Sequence, residues 1–314
     1  MAPGETNSEH RAPPVLVVGA GFIGWRVAKL AADTGHDVSV LSRRPPDPAL
    51  PSGVEVHVGD AADVSALRTA WRAGAHVVWC AGSLLPAAPH GEDPAFDLGP
   101  LELALGLLTE QGGRITYLSS GGTVYGDPAV SPTPEETSLA PRGVYATTKV
   151  RGERAVAAAE ANGVRSVILR CGNVYGPRQQ PGRSQGVVAT ALDSALRKVP
   201  MPFFGDGSAI RDYVFVDDIV SVALATVADP TFPTVVNVAT GHGTRLDELV
   251  DLVSEVTGVY LTIDRSTVRA HDIGRVVLDI TRLRAAMPSY EPRTLREGLT
   301  VTWEAKLSAG WTPS

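Results

Sequence analysis

VLVVGAGFIG, residues 15–24, decides the fold. Val15 to Val18 form a short apolar run, and Gly19, Gly21 and Gly24 follow it in the spacing G-x-G-x-x-G. Residues 23–34 then carry apolar side chains at helical spacing and stop at Gly35. A strand, a glycine-rich turn and a helix in that order form the opening of a mononucleotide-binding unit. Gly19 permits the tight turn, Gly21 lets backbone approach a pyrophosphate, and Gly24 lets the helix pack closely on the strand. The N-terminus of the helix, with Phe22 and Ile23 in the turn before it, faces the same anion. The hexapeptide alone is weak evidence, but its place at the first strand–helix turn gives it weight.

The same alternation continues outward from this turn. Apolar or β-rich runs at 37–41, 54–58, 77–80, 115–118 and 167–170 alternate with helical spacing at 64–72, 101–111 and 145–162. This order predicts an α/β Rossmann fold, a doubly wound parallel sheet with helices on both faces. Residues 14–177 are expected to form the dinucleotide-binding domain. From residue 178 the chain becomes less regular and richer in Arg, Gly and Pro, which predicts a smaller mixed α/β substrate domain over 178–314. Segments near 214–220 and 235–239 are β-like and could return to the main sheet. Residues 1–13 have no apolar core of a secretory signal and are expected to be a disordered leader.

Composition removes several function classes. The chain has 314 residues, 44% hydrophobic and 20% charged, which fits two unequal globular domains. A net charge of -6 gives no support to binding of nucleic acid or an anionic membrane. The apolar runs are too short to span a bilayer. Cys80 and Cys171 lie in apolar segments and read as buried free thiols, which suits a reducing cytoplasm. His36, His57, His76, His90, His242 and His271 lack the short spacings of a metal site, so no metal is expected. No glycine-bracketed serine forms a nucleophile elbow.

The end of the second predicted strand bears on the dinucleotide. A carboxylate there would hold a ribose 2′-hydroxyl and repel a 2′-phosphate. The chain instead reads VSVLSRR over 38–44, where Ser42 can donate to a phosphate and Arg43 can neutralise it. NADP is therefore favoured, with NAD as the alternative. Asp60 and Ala61 lie in GDAAD (59–63), placed for the adenine edge; Asp60 or Asp63 could instead cap the next helix. Cys80, Ala81 and Gly82 end the fourth strand and are expected to line the same cleft.

Tyr145 and Lys149 stand four residues apart in YATTK, on one face of a predicted helix. A free phenol titrates near pKa ~10, and a nearby ammonium is expected to lower that value. With these residues in hand, the chain resembles the extended short-chain dehydrogenase/reductase family, in its nucleotide-sugar epimerase/dehydratase/reductase branch. The likeness runs from Val15 to about Trp303. It rests on VVGAGFIG (17–24), GDAAD, YLSSGGTVYG (117–126), YATTK, RCGNVYGPRQ (170–179), GDGSAIRDYVFVDD (205–218) and RAHDIGRVVLDITR (269–282).

The resemblance implies that Tyr145 is the acid–base group, Lys149 its partner, and a strand-end hydroxyl their helper. Alignment on TVYG puts Gly121 where the family keeps that hydroxyl, so Ser120 or Thr123 must stand in, or neither does. Ser120 is the expectation. The resemblance further implies substrate contacts from Asn173, Arg211, Arg269 and Asp272, the arginines pairing with a diphosphate and the carboxylate with a ribose. Arg178 and Arg183 could flank the substrate or lie in a surface loop. Asp217 and Asp218 read mainly as helix-start carboxylates. The implied activity is NADPH-dependent reduction at C4 of a dTDP-4-keto-6-deoxyhexose. A 4-epimerase with tightly bound NAD is the alternative, and a non-catalytic redox sensor the remote one. Gly122 and Thr123, where dehydratases keep an acidic pair, argue against a dehydratase. A cytoplasmic homodimer is the family expectation.

Overall fold

The computed structural model describes residues 12–82, 95–181, 186–266 and 273–308. The first part runs β1 (Val15–Val18), α1 (Gly24–Asp33), β2 (Val38–Ser42), β3 (Glu55–Val58), α2 (Val64–Ala70), β4 (His76–Trp79), α3 (Ala95–Gln111) and β5 (Arg114–Ser120). It continues with α4 (Gly121–Val124), α5 (Gly143–Ala159), β6 (Arg165–Cys171) and β7 (Asn173–Tyr175). The remainder is α6 (Val187–Arg197), β8 (Met201–Phe204), β9 (Ile210–Arg211), β10 (Tyr213–Phe215), α7 (Val216–Ala228) and β11 (Val235–Val238). It ends with β12 (Thr244–Arg245), α8 (Leu246–Thr257), β13 (Ile263–Ser266), β14 (Arg275–Val276), α9 (Thr281–Ala286) and α10 (Leu295–Ser308).

Seven parallel strands form the main sheet in the order β11-β6-β5-β4-β1-β2-β3. The chain order reverses beside β1, so the C-terminal ends of β1 and β4 border the crevice where such sheets bind ligands. The apolar run of β1 serves both faces by alternation. Val15 and Val17 pack with Val27 and Ala31 of α1 and Val220 of α7 on one face. Leu16 and Val18 pack with Leu67 of α2 and Leu101 and Leu105 of α3 on the other. A third core joins Phe203, Phe215, Leu192, Leu249 and Leu299, gathering the elements that follow β7.

Two helices depart from their predicted bounds. α3 begins at Ala95 and carries Pro100 inside it. A proline there removes one backbone donor and hides the first turn from a periodicity reading. The helical pattern expected over 145–162 divides into α5 and a 3-10 turn at Glu160–Asn162, followed by Gly163 at φ 81°. Of the later β-like segments, 235–238 pairs with β6 at the sheet edge, whereas 213–215 pairs with β7 in a separate two-stranded sheet. Among the described residues, no helix is long and apolar enough to cross a membrane.

A buried polar cluster joins β6, α5 and the end of β5. Arg170 donates from Nε and Nη2 to Glu153, with the Nη2 bond at 2.8 Å, and from Nη1 to the Tyr125 hydroxyl. Ser119 donates to the same Glu153 carboxylate. The side chains of Arg170 and Glu153 are 8% and 5% exposed, so neither charge can fall back on water. Glu153→Ala is expected to lower the unfolding free energy by about 3–5 kcal/mol, the cost of leaving a buried charge unpaired. Urea unfolding checks this, and a paired Glu153→Leu, Arg170→Met variant should recover part of the loss.

Candidate active site

The turn after β1 has the geometry its glycines require. Gly19 sits at φ 95°, and a Cβ there would stand 2.8 Å from the Ala81 backbone. A Cβ on Gly24 would run into the Gly19 carbonyl, so helix and turn touch through backbone. Gly21 differs: a Cβ on it would meet nothing within 4 Å. The α1 N-terminus beside it has no side-chain cap and no acidic residue in its first turn. Open space over unpaired amides at a positive helix end fits a dinucleotide pyrophosphate. Phe22 and Ile23 are half-buried against the core on one side of the turn. Cys80 also supports the turn, its Cβ lying 3.1 Å from where a Gly24 Cβ would be.

At the end of β2, Ser42 is half-buried and Arg43 and Arg44 are exposed. The two GDAAD carboxylates have separate places. Asp63 caps α2 by accepting from the Ser65 amide at 2.9 Å, while Asp60 accepts from the Ala62 amide within its own turn. Ala61 between them is buried in the core under α2. Arg178 is engaged with the loop after β2: its guanidinium stacks 4.4 Å from the Trp25 ring centroid and donates to the Asp47 carbonyl. Trp25 donates from Nε1 to the Pro48 carbonyl at 2.8 Å, so this loop is pinned over the start of α1.

Tyr145 and Lys149 lie on the first turns of α5, one turn apart, and face the ends of β4 and β5. Lys149 donates to the Leu118 carbonyl at 3.0 Å. Its Nζ lies 5.8 Å from the Tyr145 ring centroid and 5.2 Å from that of Tyr117. The expected lowering of the Tyr145 pKa is not what the geometry gives. Desolvation by the surrounding protein pushes the phenol up to about 12, and the hydrogen bond with Ser120 offsets this only in part. Desolvation also lowers the Lys149 pKa, opposed chiefly by the charge of Asp97.

Two strand-end hydroxyls were candidates beside Gly121, and the structure separates them. The Ser120 side chain acts on the Tyr145 phenol and favours its ionised form. Thr123 turns back and donates to the Ser120 carbonyl at 3.4 Å. Gly121 itself has no room for a side chain: a Cβ would stand 2.5 Å from Leu278 Cδ1 and 2.9 Å from the Arg170 carbonyl. Gly122 makes space for Asn173, whose Oδ1 lies 2.6 Å from where a Gly122 Cβ would be. Asn173 is thereby held against the strand-end corner.

Arg211, on β9, is half-buried and donates to the carbonyls of Ile210 and Gly274. Arg183, Arg269 and Asp272 lie outside the described residues. Asp217 and Asp218 stand in the first turn of α7; Asp217 pairs with Arg26 at 3.0 Å, and Asp218 accepts from the Arg293 amide. Among the described residues no cluster of His, Cys, Asp or Glu could hold a metal ion. One residue that sequence reasoning missed is Asp97, which lines a cavity with Tyr145, Thr148 and Lys149. Its signal was a lone carboxylate before Pro100, in a segment that reads as loop.

A profile of the NAD dependent epimerase/dehydratase family matches residues 15–239. A UDP-glucose 4-epimerase of Mycolicibacterium smegmatis is 34% identical over 224 residues, covering 68% of this chain and 70% of its own. The dTDP-6-deoxy-L-talose 4-dehydrogenase (NAD(P)(+)) of Kitasatospora kifunensis is 32% identical, covering 96% of this chain and 99% of its own. A solved UDP-glucose 4-epimerase of Thermus thermophilus, in complex with NAD, superposes with a TM-score of 0.85 at 29% identity, covering 94% and 99% of the two chains.

The Ser120 geometry has a direct consequence. A donor that strengthens its bond as charge develops on a reacting oxygen contributes roughly 10²–10³ in turnover. Ser120→Ala is expected to lose about that factor with ligand binding unchanged, Thr123→Ala much less, and Tyr145→Phe more than either. Steady-state turnover of a nucleotide-sugar substrate ranks the three. A severe Thr123→Ala beside a mild Ser120→Ala would transfer the role to Thr123.

Proposed function

The chain belongs to the NAD dependent epimerase/dehydratase family, and from that premise we propose that it reduces a 4-keto-6-deoxy nucleotide sugar at C4, using NADPH. It is an enzyme of the extended short-chain dehydrogenase/reductase type, whose relatives carry out redox chemistry on nucleotide sugars. The single observation that carries the finer reading is the end of β2. It presents Ser42 and two exposed arginines, Arg43 and Arg44, where a carboxylate would favour NAD. A 2′-phosphorylated dinucleotide suits net reduction. The Kitasatospora dehydrogenase, similar over nearly the whole chain, is named for both NAD and NADP.

When bound, the nicotinamide supplies the hydride. The residues of this chain do the rest. The Gly19–Gly24 turn and the α1 N-terminus hold the pyrophosphate, and Ser42 and Arg43 hold the 2′-phosphate. Ser120 donates to the sugar carbonyl oxygen, which polarises the carbonyl toward hydride and stabilises the charge that develops on oxygen, and Tyr145 supplies the proton that the oxygen takes up. A phenol pushed up to about 12 is protonated at neutral pH and therefore starts as the acid, the state that reduction needs. Lys149, held by the Leu118 carbonyl, stabilises the phenolate left behind. Arg211, Arg269 and Asn173 bind the nucleotide diphosphate, the guanidiniums by paired hydrogen bonds, and Asp272 accepts from the nucleotide ribose.

A second reading, 4-epimerisation, is favoured by the names of the Mycolicibacterium and Thermus relatives. There the dinucleotide is regenerated on the same molecule and stays bound. Protein purified without added cofactor and then denatured should release little dinucleotide if the enzyme is a reductase. Stoichiometric NAD would favour the epimerase.

Two further outcomes follow from this assignment. Arg43→Ala should weaken NADPH binding by about 1.5–3 kcal/mol, the range for a charged hydrogen bond, and leave NADH nearly unchanged. Fluorescence titration with both dinucleotides checks this, and equal losses would remove Arg43 from phosphate recognition. Arg211→Ala should raise KM for the sugar nucleotide and leave the dinucleotide Kd alone. Arg211→Lys should do little better, because a point charge replaces a fork.

A further inference from the structure

We propose that Asp97 is the counter-charge of Lys149 and the group through which the proton spent by Tyr145 is replaced from solvent. The proposal rests on the reductive reading given above. Asp97 stands in the first turn of α3, where a carboxylate favours the helix end. That role does not account for where its side chain goes. Asp97 Oδ2 and Lys149 Nζ converge on one point, lying 3.7 Å and 4.0 Å from where a Cβ on Gly82 would be. Asp97, Lys149 and Tyr145 line one cavity, walled by Trp79, Leu98 and Tyr117. Asp97 is partly exposed as well as lining this cavity, which places it between the cavity and the protein surface.

The other titratable groups around Lys149 do not serve in its place. Glu153 follows one turn later on α5, but Arg170 and Ser119 already bind its carboxylate. Cys80 and Cys171 approach from β4 and β6, and burial pushes each thiol up to about 12, so both are neutral. Tyr117, on β5, is raised further still and is neutral too. Tyr145 is the proton donor itself. Asp97 is the carboxylate whose charge most favours the ammonium of Lys149, against the desolvation that disfavours it.

The proton balance shows why such a group is needed. In each reduction the carbonyl carbon gains a hydride and its oxygen gains the Tyr145 proton, so the C=O π bond gives way to a C–H and an O–H bond. Tyr145 is left as a phenolate. Its proton is restored from the Lys149 ammonium, and Lys149 is restored from solvent by way of Asp97. One proton is consumed per turnover. An epimerisation consumes none and has no use for this port.

The test uses the full-length protein as wild type and as two variants of position 97, Asp97→Asn and Asp97→Glu. Competitive labelling with acetic anhydride, read by mass spectrometry at Lys149 across a pH series, reports the neutral amine without needing turnover. The labelling midpoint is expected to fall by about one pH unit in Asp97→Asn, the size of a lost neighbouring charge, and to return in Asp97→Glu. The high-pH limb of kcat should move down with it, and the solvent deuterium isotope effect on kcat should grow. KM and dinucleotide Kd should stay unchanged. An unmoved labelling midpoint in folded Asp97→Asn overturns the pairing, and an unmoved isotope effect overturns the proton route. If the midpoint moves but wild type oxidises no NADPH with any 4-keto sugar nucleotide, the pairing stands and the reductive reading fails.

Discussion

The contact between Arg170 and Glu153 holds the corner of the candidate site together. Arg170 belongs to β6 and Glu153 to α5, and Ser119 at the end of β5 joins the same carboxylate. Three elements are thereby joined at one buried point. Lys149 and Tyr145 lie one and two turns earlier on the same helix face, and Ser120 is the next residue along the strand. A shift of α5 along the sheet would leave a buried charge unpaired, at a cost of several kcal/mol. The placement of Ser120 beside Tyr145 therefore depends on a buried ion pair next to them. Gly152 serves the same seating, since a Cβ there would strike the Tyr117 ring.

The cofactor turn obeys a different constraint, that of backbone meeting backbone. Gly19 and Gly24 are glycines because Ala81 and the Gly19 carbonyl occupy the space of a side chain. Gly21 is a glycine for the opposite reason, with open space above it. Both kinds are visible in VLVVGAGFIG through the spacing of the motif, although the residue that crowds Gly19, Ala81, lies far along the chain. The alternation of β1 across two cores is equally local, and the parallel sheet follows from it. Tyr145 and Lys149 were legible for the same reason, a four-residue interval on a helix.

What was not legible depends on residues far apart in the chain. Gly121 reads as a missing hydroxyl, yet the space is filled by Leu278, more than 150 residues later. Alignment could mark the departure but could not say that Ser120, and not Thr123, reaches the phenol. Arg178 read as a substrate-side residue or a surface residue, and stacking on Trp25 placed it over the loop that follows β2. The Tyr145 pKa was misjudged because a sequence shows the nearby lysine and not the desolvation, which dominates. Asp97 was hidden by Pro100, which made a helical turn look like loop.

Net reduction at the sugar is the central claim, and the mass of the product tests it most directly. The protein is incubated with NADPH carrying deuterium on the transferring face of the nicotinamide and with a dTDP-4-keto-6-deoxyhexose, and the sugar nucleotide is examined by mass spectrometry. The account predicts a product heavier than the substrate by one deuterium and one hydrogen, with one NADPH oxidised for each molecule formed. Recovery of a sugar nucleotide of unchanged mass, together with conversion of UDP-glucose to its C4 epimer without loss of reduced dinucleotide, would contradict it.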